Sequence, residues 1–476
     1  MKRIISALLA ISMTFSLFGC ADSQKKGYSK KNPIVLTVWH YYNGQQQAAF
    51  DALVNQFNDS YGQDNGIIVE ASSKGSVGDI TNSVIKAAKK EVGAEELPDI
   101  FASYSDTAFT LDKMDAIADI SPYLTKSEIE EFVPEYLEDG MFSEDGSIKI
   151  FPIAKSTEIM LLNKTAWDKF KGETGVTEDD LGTWEGVARV SEKYYNWSNG
   201  SAFFGRDAMA NYILIGAKQL GSEIFTYENG EARINLSKPV MRRLWDNFYV
   251  PYIKGYYGAY GKFRSDDLRT NKIISFVGST SSAAFFPESV TDASGNLTPI
   301  ECEALKLPNF EGTEPLAVCQ GAGMVVSKST EDREKASVEF LKWFTQPKQN
   351  VEFSMTSGYL PVKKNSGLKA QLDEISKKNP ENIKLTLKKT LSVSADMSEK
   401  YKFYTNKPFT NGYNARLVVD SCMNEAAKKD CSTIERLMAD NKITREEACK
   451  SFLTDEYFDS WFEKFSTELK GIQIKD

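Results

Sequence analysis

The sequence predicts an α/β protein built as two lobes. Short β-branched runs alternate with segments of helical periodicity from Ile34 to Met114, and that alternation builds parallel sheets through right-handed crossovers. Two Asp-Gly pairs in 139–147 then mark a strong turn, after which the alternation begins again. The 476 residues also exceed what a single hydrophobic core organises.

Taken in order, Ile34–Trp39 reads as a buried strand, and Gln45–Tyr61 places Phe50, Leu53, Val54 and Phe57 at helical spacing. Ile67–Glu70 is a second strand, and Ile80, Val84, Ile85 and Ala88 mark a second helix. Pro98–Ala102 is a third strand, and Thr107–Met114 a third helix. Ligands of such sheets sit beyond the carboxyl ends of the strands, here the loops Trp39–Gly44, Ser72–Gly78 and Ser103–Asp106. Past the turn, Ile148–Ile153 and Glu158–Leu162 read as strands around Ala154–Thr157, a crossing into the second lobe. Thr183 caps a helix over Trp184–Tyr195, and Asp207–Leu220 and Lys238–Tyr252 are further helices. The strand Lys272–Gly278 runs into the hydroxyl-rich Ser279–Ser282. Gly321–Ser327 is a glycine turn and strand. Ser329 with Asp332 resembles a capping box for Arg333–Phe344. Ser357–Pro361 is a turn, Asn379–Lys407 reads as polar and irregular, a helix passes through Cys422 and Ala426, and Glu446–Leu469 is an amphipathic helix pair. The expected lobes are 34–147 with 278–345, and 148–277 with 346–476.

The amino terminus has a different character. Lys2 and Arg3 precede an apolar run, Ile4–Phe18, that is too short to span a bilayer. Residues 1–19 therefore read as an export signal. Leu17-Phe18-Gly19-Cys20 resembles a bacterial lipobox, although Phe18 is bulkier than the small residue preferred there. This implies lipid on Cys20, holding the protein on the outer face of the cell membrane. The alternative is an ordinary secretory signal. Residues 20–33, polar and lysine-rich, form a flexible tether. Of the remaining cysteines, Cys302, Cys319, Cys422, Cys431 and Cys449, none has C-x-x-C spacing, and their pairing stays open.

A net charge of −9 argues against a nucleic-acid partner. The single histidine, His40, rules out H-E-x-x-H metal sites. No G-x-G-x-x-G follows the first strand, and no Walker loop, G-x-S-x-G elbow or calcium loop occurs. The expectation is binding without cofactor or metal, although carboxylates are abundant enough for a glycosidase pair. Aromatic residues make up 12% of the chain, and their flat faces suit sugar rings.

Leu36-Thr-Val-Trp-His40, Phe50-x-x-Leu53-Val54-x-x-Phe57-Asn58, Leu97-Pro-Asp-Ile100, Pro152 with Leu161-Leu-Asn163, Thr183-Trp184, Gly321-Ala-Gly-Met324 and Phe340-Leu341 resemble, in order and spacing, the extracellular solute-binding proteins of ABC importers, family 1. Trp39-His40, Ser357-Gly-Tyr-Leu-Pro361 and Pro408-Phe-Thr-Asn-Gly412 before Arg416 are most similar to the glycerol-3-phosphate-binding branch. The resemblance implies a type II periplasmic-binding fold with a ligand cleft between lobes. It also implies a monomer, no catalysis, ABC permease subunits as partners, and a sugar, oligosaccharide or glycerol-phosphate-like solute. Ser156, the hydroxyls Ser279 and Ser281, Gly321, Tyr359 and Arg416 are the implied ligand contacts, and Arg416 suits a phosphate. Trp39, His40 and Asp106, at predicted strand ends, are further candidates. Lys74-Gly-Ser-Val77 and Ser105-Asp106 depart from the branch at positions that would read the ligand. A lipid-anchored glycoside hydrolase and a solute sensor for a membrane receptor are the alternatives.

Overall fold

The computed structural model describes residues 27–143, 145–228, 231–291, 294–378 and 383–474. The expected signal and Cys20 lie outside them. Among the described residues no helix is long and apolar enough to cross a membrane.

Eight strands build two four-stranded sheets: β1 (Ile34–His40), β2 (Ile67–Ser73), β3 (Ile100–Ser103), β4 (Glu158–Asn163), β5 (Phe204–Arg206), β6 (Ser275–Ser279), β7 (Cys302–Leu305) and β8 (Gly323–Val326). The first sheet has the order β8-β3-β1-β2. β1 pairs in parallel with β2 along its whole length and with β3 near its end, and β8 closes the edge antiparallel to β3. The second sheet has the order β7-β4-β6-β5 and is mixed. β4 runs antiparallel to both β6 and β7, while β5 and β6 are parallel. All six residues of β4 are buried, as expected of a strand covered on both faces.

Five helices matter for the site: α1 (Gly44–Phe57), α2 (Val77–Ala88), α3 (Ser105–Lys113), α4 (Met209–Gln219) and α5 (Gly412–Asn441). The apolar spacing read from the sequence is the face α1 buries: Phe50, Leu53, Val54 and Phe57, joined by Gln46. A capping box starts α2, with Ser76 and Asp79 satisfying each other's backbone N–H groups. Thr183 caps its helix as expected.

Each sheet has its own core. Phe50, Phe57, Phe101, Phe151, Phe344 and Phe353 belong to the first. Trp167, Phe170, Phe203, Trp245, Tyr249 and Phe276 belong to the second. Fully burying such a side chain contributes about 1.5–3 kcal/mol, so each lobe has ample reason to hold together by itself.

The domain boundaries differ from the expectation in four places. Residues 27–33, expected to belong to a flexible tether, pack on the first lobe: Tyr28 is buried in its core, and the Gly27 N–H donates to Asp332. Residues 278–318 join the second lobe, because β6 and β7 pair with β4 and Phe286, Cys302 and Phe310 lie in that core. Residues 148–154 join the first core, where Phe151 bridges to Met324 without forming a full strand. Phe353, Tyr359 and Val362 also pack in the first core. Within 379–407, expected to be irregular, Leu385–Lys400 is a helix that buries Leu387, Leu391 and Met397, and Lys402–Tyr404 pairs with Leu316–Val318. The expected Ser329 capping box is absent: Thr330 precedes the helix, and the Ser329 N–H donates to Glu334 instead.

Three segments carry the chain between lobes, and they run side by side. Lys155 exchanges backbone hydrogen bonds with Leu360, and Ser156 with Gln320 at 2.7 and 2.9 Å. Segments around 155, 320 and 360 thus form a small three-stranded hinge. Gly321 sits there with φ +98°, where a Cβ would lie 3.0 Å from the Ala154 carbonyl oxygen. Only glycine combines that backbone conformation with so close an approach. Beneath it, Lys155, 1% exposed, donates to Asp139 at 2.6 Å and to the Gly321 carbonyl at 3.1 Å. Burial works to lower the Lys155 pKa, but Asp139, Cys319 and Tyr104 together outweigh it, so the ammonium is held above its ordinary value.

Candidate ligand-binding cleft

A cavity of about 310 Å³ opens beside this hinge, lined from both lobes. The first lobe supplies Val77 and Thr81 of α2, and Tyr104 to Thr107 at the start of α3. Two of the three loops at the carboxyl ends of the first sheet therefore reach it. The second lobe supplies Asn211 and Leu214 of α4, and Gly412, Tyr413 and Arg416 from the first turns of α5. The hinge supplies Gln320, and the end of the short strand Lys402–Tyr404 with the two residues after it supplies Tyr404 to Asn406. That segment separates the cavity from a second one of about 840 Å³, which shares Asp139, Cys319 and Tyr404 to Asn406.

Asp106 and Arg416, one from each lobe, are the charged side chains of this cavity that form no ion pair among the described residues; the third, Asp139, is paired with Lys155. Asp106 stands in the first turn of α3, where a carboxylate complements the helix dipole. Its backbone carbonyl accepts from Thr110 at 3.0 Å, but its carboxylate takes no hydrogen bond among the described residues. The close approach of Gly412 walls it in: a Cβ there would fall 2.5 Å from Asp106 Oδ1. Burial pushes the Asp106 carboxyl up to about 6; Arg416 pulls it the other way and Asp139 adds to the rise. Arg416 uses one Nη to donate to Asn211 Oδ1 and leaves its other N–H groups to the cavity. Tyr104, 37% exposed, and Tyr413, 39% exposed, turn ring surface into the open space.

The other candidates fall elsewhere. His40 is wholly buried in the first core against Phe50 and Tyr42, its Nδ1 accepting the Tyr42 N–H at 3.2 Å. Burial lowers its pKa to about 4, so it is a neutral core imidazole and not a cleft residue. Trp39 is buried under the Lys74 ammonium, 3.9 Å from its ring centre, and does not line the cavity. Ser156 and Gly321 belong to the hinge backbone. Ser279 and Ser281 bond each other at 2.9 Å, and Thr280 and Ser281 pack against Gly358. Tyr359 is buried on Phe353, with its hydroxyl 3.4 Å from that of Tyr41. These residues surround the hinge, and Asp106 and Arg416 alone among the nine line the cavity. All five described cysteines are free thiols, and Cys319 lines both cavities.

Sequence reasoning missed Tyr104, Asn211, Gln320 and Tyr413. Asn211 did leave a signal, as a lone amide within the apolar run Met209–Ala217. Tyr104 lies inside a loop already marked as a strand end. Nothing local distinguishes Gln320 or Tyr413.

Comparison with known proteins bears on the fold and the family. No curated protein sequence matches. Among solved structures, the chain is similar to the cyclic α-maltosyl-1,6-maltose binding protein of Arthrobacter globiformis, at 18% identity and a TM-score of 0.64 over 92% of this chain and 100% of that one. It is similar to UgpB of Mycobacterium tuberculosis, solved with glycerophosphocholine, at 17% identity and a TM-score of 0.65 over 92% and 98%. It is also similar to the ABC substrate-binding protein Lmo0181 of Listeria monocytogenes, solved with cycloalternan, at 15% identity and a TM-score of 0.62 over 91% and 99%. These likenesses establish the two-lobed fold. The family description of bacterial extracellular solute-binding proteins matches residues 52–383, well over half of the sequence, and the chain belongs to that family.

Proposed function

We propose that this protein is the solute-capturing lipoprotein of an ABC importer. Lipid on Cys20 holds it at the outer face of the membrane. The lobes close on a small hydroxyl-rich solute and present it to permease subunits, without catalysis. The observation that carries this reading is the cavity lined from both lobes, in which Asp106 of one and Arg416 of the other keep free bonding capacity, with Tyr104 and Tyr413 also in the lining. A carboxylate accepts hydroxyl hydrogens, a guanidinium donates to hydroxyl oxygens, and aromatic faces pack on C–H groups. Contacts made by both lobes exist only in the closed form, so a solute stabilises that form by what it gains there.

The charge balance favours a neutral saccharide over a phosphate ester. Asp106 and Asp139 are offset by Arg416 and by Lys155 behind Asp139. A phosphate dianion would add two negative charges without further compensation, in a confined space where such charges are costly. Solved neighbours include proteins that bind maltose-type sugars and one that binds glycerophosphocholine.

The test is thermal unfolding of the mature chain with maltotriose, cycloalternan, glycerophosphocholine and glycerol 3-phosphate. A ligand at a hundred times its Kd adds about 2.7 kcal/mol to stability. Saccharides are expected to raise the midpoint and glycerol 3-phosphate to leave it unchanged. A shift with glycerol 3-phosphate alone would replace saccharide by phosphate ester. No shift with any of the four, nor with a wider sugar panel, would remove the binding reading, and turnover of a saccharide would replace binding by hydrolysis.

A further inference from the structure

Asn211 joins three other side chains at the cavity. It is 1% exposed, in the first turn of α4. Its Nδ2 donates to Glu158 Oε1 at 3.0 Å and to Gln320 Oε1 at 2.9 Å, and its Oδ1 accepts from Arg416. Both donors and the acceptor are used. The amide cannot turn over, because that would set its N–H groups against a guanidinium and its oxygen against a carboxylate.

Glu158 is equally constrained. It is 2% exposed on β4 and takes two hydrogen bonds of 2.8 Å from Arg206 Nη2. Arg206, at the end of β5, also donates to the carbonyls of Asp207 and Ala208 and lies over the rings of Trp184 and Tyr212. Such a pair costs desolvation energy, and replacing it with apolar residues is often neutral or stabilising. Its presence at the core edge therefore asks for another reason than stability. That reason is available one bond further on, where Asn211 holds two side chains that face the cavity from different elements: Arg416 on α5 and Gln320 on the hinge.

We infer that Asn211 is a positioning residue, oriented by the buried Arg206–Glu158 pair, that fixes the direction in which Arg416 and Gln320 face the cavity. The pair sets the amide, and the amide sets both ligand-facing groups with one carbon skeleton. Substitution of the amide separates its two duties. Asn211→Ala removes both. Asn211→Asp keeps an acceptor for Arg416, now charge-assisted, but has no proton for Gln320 and sets a carboxylate against Glu158.

This inference rests on the cavity being the solute site, yet its test needs no solute and can fail while solute binding stands. Side-chain ¹⁵N relaxation is measured at Arg416 Nε and Gln320 Nε2, with Arg333 as internal control because it pairs with Asp99 at 2.6 Å in the first lobe. In Asn211→Ala the order parameters of Arg416 and Gln320 are expected to fall below about 0.6, the range of flexible groups, while Arg333 stays unchanged. In Asn211→Asp, Gln320 loosens and Arg416 does not. The split is what a merely structural role would not produce. An ordered Arg416 in Asn211→Ala, or equal loosening of both groups in Asn211→Asp with Arg333 steady, would overturn the assignment. Should one variant fold poorly, the other decides it alone by the same criterion.

Discussion

The hinge and the cavity lie side by side and treat their polar groups in opposite ways. In the hinge, the backbone groups of Lys155, Ser156, Gln320 and Leu360 exchange hydrogen bonds, and the Lys155 ammonium is shared between Asp139 and Gly321. In the cavity, a carboxylate and a guanidinium with spare bonds stand among exposed rings. Buried polar groups are paired as a rule, because leaving one unpaired costs about 1–3 kcal/mol. A region that keeps unspent capacity is stable only where water or a ligand can supply it. The difference teaches that residues conspicuous in the sequence, such as Ser156 and Gly321, lie in the segments that join the lobes, whereas the side chains with spare bonds stand in the cavity beside them.

That contrast can be broken most forcefully in the hinge. Lys155→Met leaves Asp139 buried without its partner, and removing one member of a buried pair costs about 3–5 kcal/mol. Urea unfolding is expected to show a loss of that size; a loss below about 1 kcal/mol would mean that the joint does not depend on the pair. Arg416→Ala should do the reverse. Unfolding free energy changes little, while affinity for the best-stabilising solute falls about tenfold to a hundredfold, the worth of one charged hydrogen bond; calorimetric titration reads it. Gly321→Ala combines a positive φ with a Cβ 3.0 Å from the Ala154 oxygen, so a stability loss of about 1–2 kcal/mol is expected. An unchanged midpoint would show that the hinge gives way easily.

The smallest effect is on pH dependence. The Asp106 carboxyl is raised to about 6 by burial, above its ordinary value of about 4. The folded state therefore holds this proton more tightly than the unfolded chain does. The resulting stability is fully present below about pH 4 and is lost as pH rises through about 6. Binding through the ionised carboxylate moves the other way, so solute affinity should weaken as pH drops from about 7 to about 5. Asp207 is also raised to about 6 by burial, so Asp106→Asn is the needed control: in it, the affinity profile flattens.

Much of the first lobe was readable because local periodicity and tertiary contact agree there. The spacing of Phe50, Leu53, Val54 and Phe57 is the buried face of α1, and two of the three loops marked as strand ends line the cavity. The second lobe was harder. Its sheet gathers β4, β5, β6 and β7 from widely separated segments, and no local pattern says that β7 returns to β4. Leu385–Lys400 hid because its buried stripe interleaves Leu387, Leu391 and Met397 with the polar Thr390 and Ser394, which breaks the apolar period. Of the candidate site residues, Asp106 and Arg416 line the cavity, and His40 is buried in the first core. A strand-end histidine looks exposed on paper, but here Tyr42 and Phe50 pack against it.

The fourth strand of the first sheet, β8, arrives more than two hundred residues after its neighbour β3. A growing polypeptide cannot finish that sheet until most of the second lobe has been made. Contacts so distant along the chain form slowly, because the long loop must close before they reward it. Refolding from denaturant should accordingly be a slow process.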